Sequence, residues 1–391
     1  MCDVSRIAMS RRGLLRSAGA LTGAAMSPML FSGSASTADT AGDAARYNTR
    51  LVLLGTSGGP IWWEDSDRSG ISSAIVIGDA KYVVDCGDGA GHSLRKAGLL
   101  GQGEGQNDLH DLRGVFLTHL HSDHISDYPA LLLHGFVGGG LGRDDRPVQV
   151  HGPGRRGTLP EVFPPDRPEP DVVNPGNPWP GTADMTSSLI EAFATDINDR
   201  IFDSGAPDIR ARVQAHDIVL PEGAGADPNA APPRLETPVE VYEDDRVKVT
   251  ATLVDHGQVF PSFGYRFDTE DGSVVFSGDT TVSDNLIDLA ANCNLLVHEV
   301  VDEAWVRESI EGLPEPQPIK DAYINHMLGA HTTIEQVGGV AEEAGAGTLV
   351  LNHFVPGNLP AGRWQQAGKD FSGRLIIGAD LMHIGVGRKH D

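Results

Sequence analysis

Thr118-His119-Leu120-His121-Ser122-Asp123-His124 places three imidazoles and a carboxylate within six residues, directly after the apolar run Gly114-Val115-Phe116-Leu117. Neutral imidazole nitrogens and a carboxylate oxygen are the ligand set that suits zinc, manganese or iron. In extended backbone His119 and His121 lie two apart and point to one side, whereas the adjacent Asp123 and His124 diverge and can serve a second ion. A histidine-rich surface loop is the ordinary alternative. It is disfavoured by the apolar strand in front of the cluster and by isolated acceptor residues downstream.

The run matches His-x-His-x-Asp-His, and the landmarks around it resemble the tRNase Z-like branch of the metallo-β-lactamase superfamily. They follow in order: Leu54-Gly55-Thr56-Ser57-Gly58-Gly59-Pro60, Val84-Asp85-Cys86-Gly87-Asp88-Gly89, the histidine cluster, His151-Gly152-Pro153-Gly154, and Asp255-His256-Gly257 running to Phe263-Gly264-Tyr265-Arg266. Phe276-Ser277-Gly278-Asp279-Thr280, His298-Glu299, His331-Thr332-Thr333 and Leu349-Val350-Leu351-Asn352-His353-Phe354 complete the series. The resemblance implies an α/β (α+β) fold, a four-layer αββα sandwich. It also implies two divalent ions, zinc first with manganese or iron as substitutes. His119, His121 and His256 would hold one, and Asp123, His124 and His353 the other, with Asp279 bridging. On that pattern a hydroxide between the ions is the nucleophile and their charge stabilises the transition state. Asp123 counts as catalytic as well as ligating. His331 falls in the loop where this branch carries a substrate-facing histidine, a general acid or an oxyanion holder. Glu299 would orient it, and Asp85 would hydrogen-bond a ligand imidazole.

With 391 residues, 40% hydrophobic and 21% charged, the chain has ample length for a buried core. The formal charge is −24, and it becomes more negative if the arginine-bearing N-terminal segment is removed. No cluster of Lys and Arg follows residue 50, so the expectation is that a polyanion is repelled and that nucleic acid is not a partner. Cys2, Cys86 and Cys293 form no disulfide framework, and Cys86 reads as a small buried packing residue.

Ser10-Arg11-Arg12-Gly13-Leu14-Leu15-Arg16 precedes a weakly apolar stretch rich in Ala, Gly and Ser. This pattern is similar to a twin-arginine export signal, with residues 1–45 as signal and disordered start and 46–391 as one hydrolase domain. The expected location is periplasmic or extracellular, without stable membrane association after processing. Strands are expected at Arg50–Leu54, Ala74–Ile77, Tyr82–Val84, Val115–Thr118 and Pro147–His151, with helices at Ser93–Leu100 and Tyr128–Gly135. Residues 153–238 hold 15 of the 25 prolines and read as an insertion that shapes the substrate site, with one helix at Ser187–Arg200. Beyond it the expected strands are Val239–Tyr242, Val247–Leu253, Phe263–Phe267, Ser273–Phe276, Leu295–His298, Leu349–Leu351 and Leu375–Ile377. Ile334–Ala344 is the expected helix, capped by Thr332 or Thr333.

Two departures bear on function. A tRNA-processing member of the branch carries an arm between the positions of His256 and Asp279, but here only 22 residues intervene and they read as a hairpin. Pro60-Ile61-Trp62-Trp63-Glu64-Asp65 offers two tryptophans and two acids where tRNA processors place lysine and arginine. The expectation is therefore an exported hydrolase of a small ester, an aryl sulfate or phosphodiester, resembling the arylsulfatases on this scaffold. A lactone or other cyclic ester hydrolase is the alternative. A ribonuclease Z-type tRNA 3′-endonuclease and a non-catalytic metal-binding protein rank behind. A homodimer is left open.

Overall fold

A computed structural model describes residues 41–44, 46–101, 108–137, 140–164, 167–221 and 223–389. The export motif at Ser10–Arg16 lies outside the described residues. Among the described residues no helix is long and apolar enough to cross a membrane.

Two seven-stranded sheets carry the chain. The first contains β1 (Thr49–Gly55), β2 (Ser72–Ile77), β3 (Ala80–Val84), β4 (Leu112–Phe116), β5 (Val148–Pro153) and β6 (Val213–Ile218). The second contains β7 (Val239–Glu243), β8 (Lys248–Leu253), β9 (Phe263–Thr269), β10 (Gly272–Phe276), β11 (Leu295–Val301), β12 (Thr348–Val355) and β13 (Arg374–Ile377). The last strand, β14 (Met382–Val386), returns to the first sheet and pairs antiparallel with β1, Thr49 facing Val386. Within each sheet the pairing begins antiparallel through hairpins and becomes parallel once helices make the crossovers, β3 to β6 in one and β10 to β13 in the other.

The strands read as near-continuous apolar runs because both faces of each sheet are covered. In β1, Leu51 and Leu53 point into the core between the sheets, while Val52 and Leu54 point outward under the helical layer. In β11, Leu295 and Val297 face the inter-sheet core and Leu296 faces the outer one. The outer layers are built by Ala90–Lys96 and Tyr128–Phe136 over the first sheet, and Asp284–Leu289 and Ile334–Glu343 over the second. This is the four-layer sandwich expected. Arg113 clamps the two sheets: its guanidinium pairs with Asp244, whose carboxylate also accepts from the hydroxyls of Tyr82 and Tyr242.

The structure departs from the sequence reading in identifiable places. The 153–238 segment is not wholly an elaboration, because β6 within it extends the first sheet in parallel with β5. The helix expected at Ser187–Arg200 is two, Thr182–Ala192 and Ala194–Ser204, broken at Phe193. The apolar stripe misled here: Leu189 and Ile190 pack on the core, but Phe193 turns outward and is 41% exposed. Helices Glu303–Glu311 and Gln317–Leu328, unread in the sequence, form a pair with its own small apolar cluster of Val306, Ile310, Ile324 and Met327. For the Ile334 helix the cap is Thr333, closed into a capping box by Gln336.

Asp302 caps the first of these helices and ties it to the short helix Ala361–Trp364. Its buried carboxylate accepts from the backbone N–H of Ala304 at 2.8 Å and from the guanidinium of Arg363 at 2.6 Å. Burial alone would raise its pKa, but Arg363 and the helix N–H groups outweigh that and hold it below the usual carboxylate range. Asp302→Ala is expected to cost about 1–2 kcal/mol, combining a lost cap with a weakened ion pair, since Arg363 is partly exposed and keeps Glu335 and Gln366. Because the folded pKa is depressed, the contribution is present above an ordinary carboxylate pKa of about 3.9 and is lost as pH falls through the folded value. Thermal denaturation should therefore show a wide gap between wild type and variant at pH 7 that narrows below pH of about 4.

Candidate metal centre

The seven residues singled out from the sequence as ligands meet at one rim of the sandwich. His119 and His121 lie in the turn that leaves β4, and Asp123 and His124 fall in the short helix Ser122–Ile125 that follows. His256 follows β8, Asp279 follows β10, and His353 interrupts β12 with a left-handed φ of 44°. The ligand atoms sort into two groups, His119, His121 and His256, and Asp123, His124, Asp279 and His353. Asp279 reaches both. Its Oδ2 lies 3.9 Å from Nε2 of His119 and of His256 and 3.3 Å from Nε2 of His353, and its Oδ1 lies 3.4 Å from Nε2 of His124.

These separations test whether a metal fits. Four ligands tetrahedrally placed around zinc at its usual bond lengths are separated from one another by about 3.3 Å. Here His124 Nε2 lies 3.2 Å from His353 Nε2, His353 Nε2 lies 3.3 Å from Asp123 Oδ2, and His256 Nε2 lies 3.4 Å from His121 Nδ1. His119 Nε2 and Asp279 Oδ1 are buried without a hydrogen-bond partner. The donor set and its spacing fit divalent cations.

Electrostatics point the same way. Burial, reinforced by neighbouring imidazoles, drives His119 and His256 well below the ordinary histidine pKa and lowers His121 to about 4, so their lone pairs are available. Burial would also lower His124 and His353, but Asp279 and Asp123, joined at His124 by Asp85, overcome it and raise both. Burial works to raise Asp123 and Asp279, and the surrounding imidazoles hold both low. Two buried carboxylates, Asp123 and Asp279, face five imidazoles, and a divalent cation would take the place of the protons that His124 and His353 otherwise retain beside them.

A second ring of contacts orients the ligands. Asp85, itself at a left-handed φ of 58°, accepts from the N–H and hydroxyl of Thr118 at 2.8 and 2.9 Å. The same carboxylate meets His124 Nδ1 at 2.9 Å, the contact with a ligand ring expected of it. His256 Nδ1 donates to Ala330 O at 2.9 Å, which turns Nε2 toward the cluster. The N–H of Gly59 donates to Asp123 Oδ2 at 2.9 Å. Gly58 is required by close approach: a Cβ there would lie 2.4 Å from His353 Nδ1. Gly59 and Ala330 act through backbone groups, which leave no residue-type signal in a sequence, and a lone hydroxyl such as that of Thr118 leaves a weak one.

His331 and Glu299 stand beside the cluster. The Nδ1 of His331 lies 2.9 Å from Glu299 Oε2, and Glu299 Oε1 accepts from the N–H of Thr280 at 2.7 Å. Burial opposes a charge on His331, but Glu299 overrides it and raises its pKa to about 9, while burial raises Glu299 as well. The pair retains a proton between them. His331 is also grouped with His256 and Asp279 as a set of potential ligands.

Clefts open on both flanks. One of about 770 Å³ on the Asp123 side is lined by Ile61, Trp62, Trp63, Asp88 and Ser126. The other, about 750 Å³, lies beside Asp255 and Gly257 and is walled by Glu161 and Asn229 of the proline-rich segment and by His326.

Residues 67–318 match the metallo-beta-lactamase superfamily. Ribonuclease Z of Mycobacterium marinum is 32% identical over 343 residues, covering 86% of this chain and 98% of that protein. Ribonuclease Z of Mycobacterium tuberculosis is 30% identical over 86% of this chain and 97% of its own length. Among solved structures, the human short-form tRNase Z aligns with a TM-score of 0.52 at 17% identity, over 87% of this chain and all of that one. The metallo-beta-lactamase fold protein YhfI of Bacillus subtilis aligns with a TM-score of 0.51 at 16% identity, over 86% and 98%.

These relatives correct two expectations, that of a small-ester hydrolase of the arylsulfatase kind and that of a chain without a nucleic-acid partner. Net charge sums the whole surface, whereas phosphate contacts are local, so a charge of −24 does not exclude a nucleic-acid partner. The missing arm concerned a docking element and left the reaction centre untouched.

Asp85→Asn removes the carboxylate behind His124 and should weaken metal retention about 10- to 100-fold. Gly58→Ala should do the same by displacing His353. Metal content after dialysis against a graded chelator checks both, and retention equal to wild type in either variant would remove that contact from the account.

Proposed function

The chain belongs to the metallo-beta-lactamase superfamily, in its tRNase Z-like branch, and we propose that it is a metal-dependent endoribonuclease acting on a structured RNA of the precursor-tRNA kind. The observation that carries the reading is the match to ribonuclease Z over 98% of that protein's length. The two clefts support it, since a polymer crossing the centre occupies both flanks while a small ester needs one.

His119, His121 and His256 would hold one cation and Asp123, His124 and His353 the other, with Asp279 between them, zinc being the first candidate. Such a pair supplies Lewis acidity at the phosphoryl oxygen and water activation at neutral pH. The protein's own groups supply the rest. Glu299 holds Nδ1 of His331, so proton traffic is confined to Nε2. A ribose alkoxide is a poor leaving group, and protonation of that oxygen by His331 is where an acid contributes most. Gly59, through its N–H to Asp123, keeps that carboxylate fixed while substrate enters.

The reading is tested by incubating metal-loaded protein with a precursor tRNA carrying a 3′ extension. Endonucleolytic cleavage, abolished by chelation and restored by zinc or manganese, is expected. Full metal occupancy without cleavage would overturn it. His331→Ala is expected to lower kcat on RNA by about 10²-fold, with unchanged metal content. On a 4-nitrophenyl phosphodiester, whose leaving group needs little protonation, the loss should be much smaller.

A further inference from the structure

Two tryptophans open the loop that follows Gly59, and the structure gives them opposite fates. Trp63 turns inward, donating its indole N–H to Gly58 O at 2.9 Å and packing edge-on against Trp305 with ring centroids 5.3 Å apart. Trp62 is 90% exposed. A single exposed apolar side chain is unremarked on most surfaces, but this one is held. Its Nε1–H donates to Asp88 Oδ2 at 3.0 Å, so the ring is pinned by its edge and its faces stay open.

The loop beneath is equally fixed. Ser66 Oγ donates to Gly357 O at 3.0 Å, and Asn358 Nδ2 donates to Glu64 O at 3.1 Å. At its start the N–H of Gly59 grips Asp123, so the platform is tied directly to the metal centre. Trp62 and Asp123 line the same cleft.

The charge of that cleft decides what it can take. Arg68 is the cation among its lining residues, and its Nη1 already donates to Thr56 Oγ1 at 2.5 Å and Gly378 O at 3.1 Å while the guanidinium lies over the ring of Phe354. Asp88 leaves the wall beside Trp62 acidic, while Asp123 is committed to the metal group. At the Trp62 end, away from the metal ligands, a flat uncharged ring is favoured over a phosphate. Indole faces bind any nucleobase by stacking, whatever its hydrogen-bonding edge.

We propose that Trp62 is a stacking platform for one unpaired nucleobase next to the scissile phosphodiester, making it a specificity-determining residue for RNA with a single-stranded segment at the cleavage point. This rests on the endoribonuclease reading. It also gives the acidic side of the loop a purpose: Asp88 positions the indole, and the absence of a free cation in the cleft lining favours the base over the backbone.

The test uses metal-loaded wild type, Trp62→Phe and Trp62→Ala with a precursor RNA whose nucleotides on each side of the cleavage point are intact or abasic. For wild type, removing the base on one side should lower kcat/KM about 10- to 100-fold, chiefly through KM. Trp62→Phe should keep most of that dependence. Trp62→Ala should lose it and cleave both RNAs at the slower rate, with metal content unchanged. In parallel, a short single-stranded oligonucleotide with a non-hydrolysable linkage should quench indole fluorescence in wild type, and the quenching should fall in Trp62→Phe. Equal base dependence in wild type and Trp62→Ala, or quenching that persists unchanged in Trp62→Phe, overturns the platform. Loss of quenching in Trp62→Phe together with no RNA cleavage by wild type supports the platform and overturns the endoribonuclease reading alone.

Discussion

Four carboxylates, Asp85, Asp123, Asp279 and Glu299, are buried at one rim of the sandwich, and the rest of the site is arranged around the cost of keeping them there. An uncompensated buried charge costs several kcal/mol even after relaxation. Asp85 is answered by Thr118 and His124, Glu299 by Thr280 and His331, and Asp123 by the N–H of Gly59. Asp279 is different. Its neighbours are the imidazoles of His119, His124, His256 and His353, so its compensation depends on what those rings and it hold in common.

The scaffold makes this concentration of charge tolerable by making everything around it rigid. β8 and β10 each pair antiparallel with β9 and so run the same way, and the turns after them open at the same rim as the turn after β4. The two sheets also touch there directly: Gly58 N donates to Phe354 O and Phe354 N to Thr56 O, joining the end of β1 to the end of β12 beside His353. The backbone strain at His353 and Asp85 is thus held by hydrogen bonds on either side.

What the sequence made legible is what depends on residue type and order. Strands covered on both faces leave apolar runs that survive any reading, and the ligands carry side chains that almost nothing else explains. Phe193 shows the limit of periodicity, because a helix that breaks for one residue keeps its apolar spacing while losing its common face. Strand β6 was hidden inside a proline-rich stretch, since Val213-Gln214-Ala215-His216-Asp217-Ile218 has no strong apolar alternation and acquires its place from β5. The substrate class is less legible for a related reason. Whole-chain charge and the absence of one docking arm are properties of the periphery, whereas the chemistry is set by a few buried groups.

Strand β14 has a consequence for how the molecule guards itself. By lying along β1 it covers the backbone N–H and C=O groups of Leu51–Leu53, an uninterrupted apolar stretch that would otherwise present an open template to another chain. The covering strand is short, five residues from Met382 to Val386, and a short edge offers little length for a further strand to add. Material lacking those few residues would retain every metal ligand and every residue of the clefts. Its failing would be self-association along an unsheathed edge, a loss of solubility with the reaction centre chemically intact.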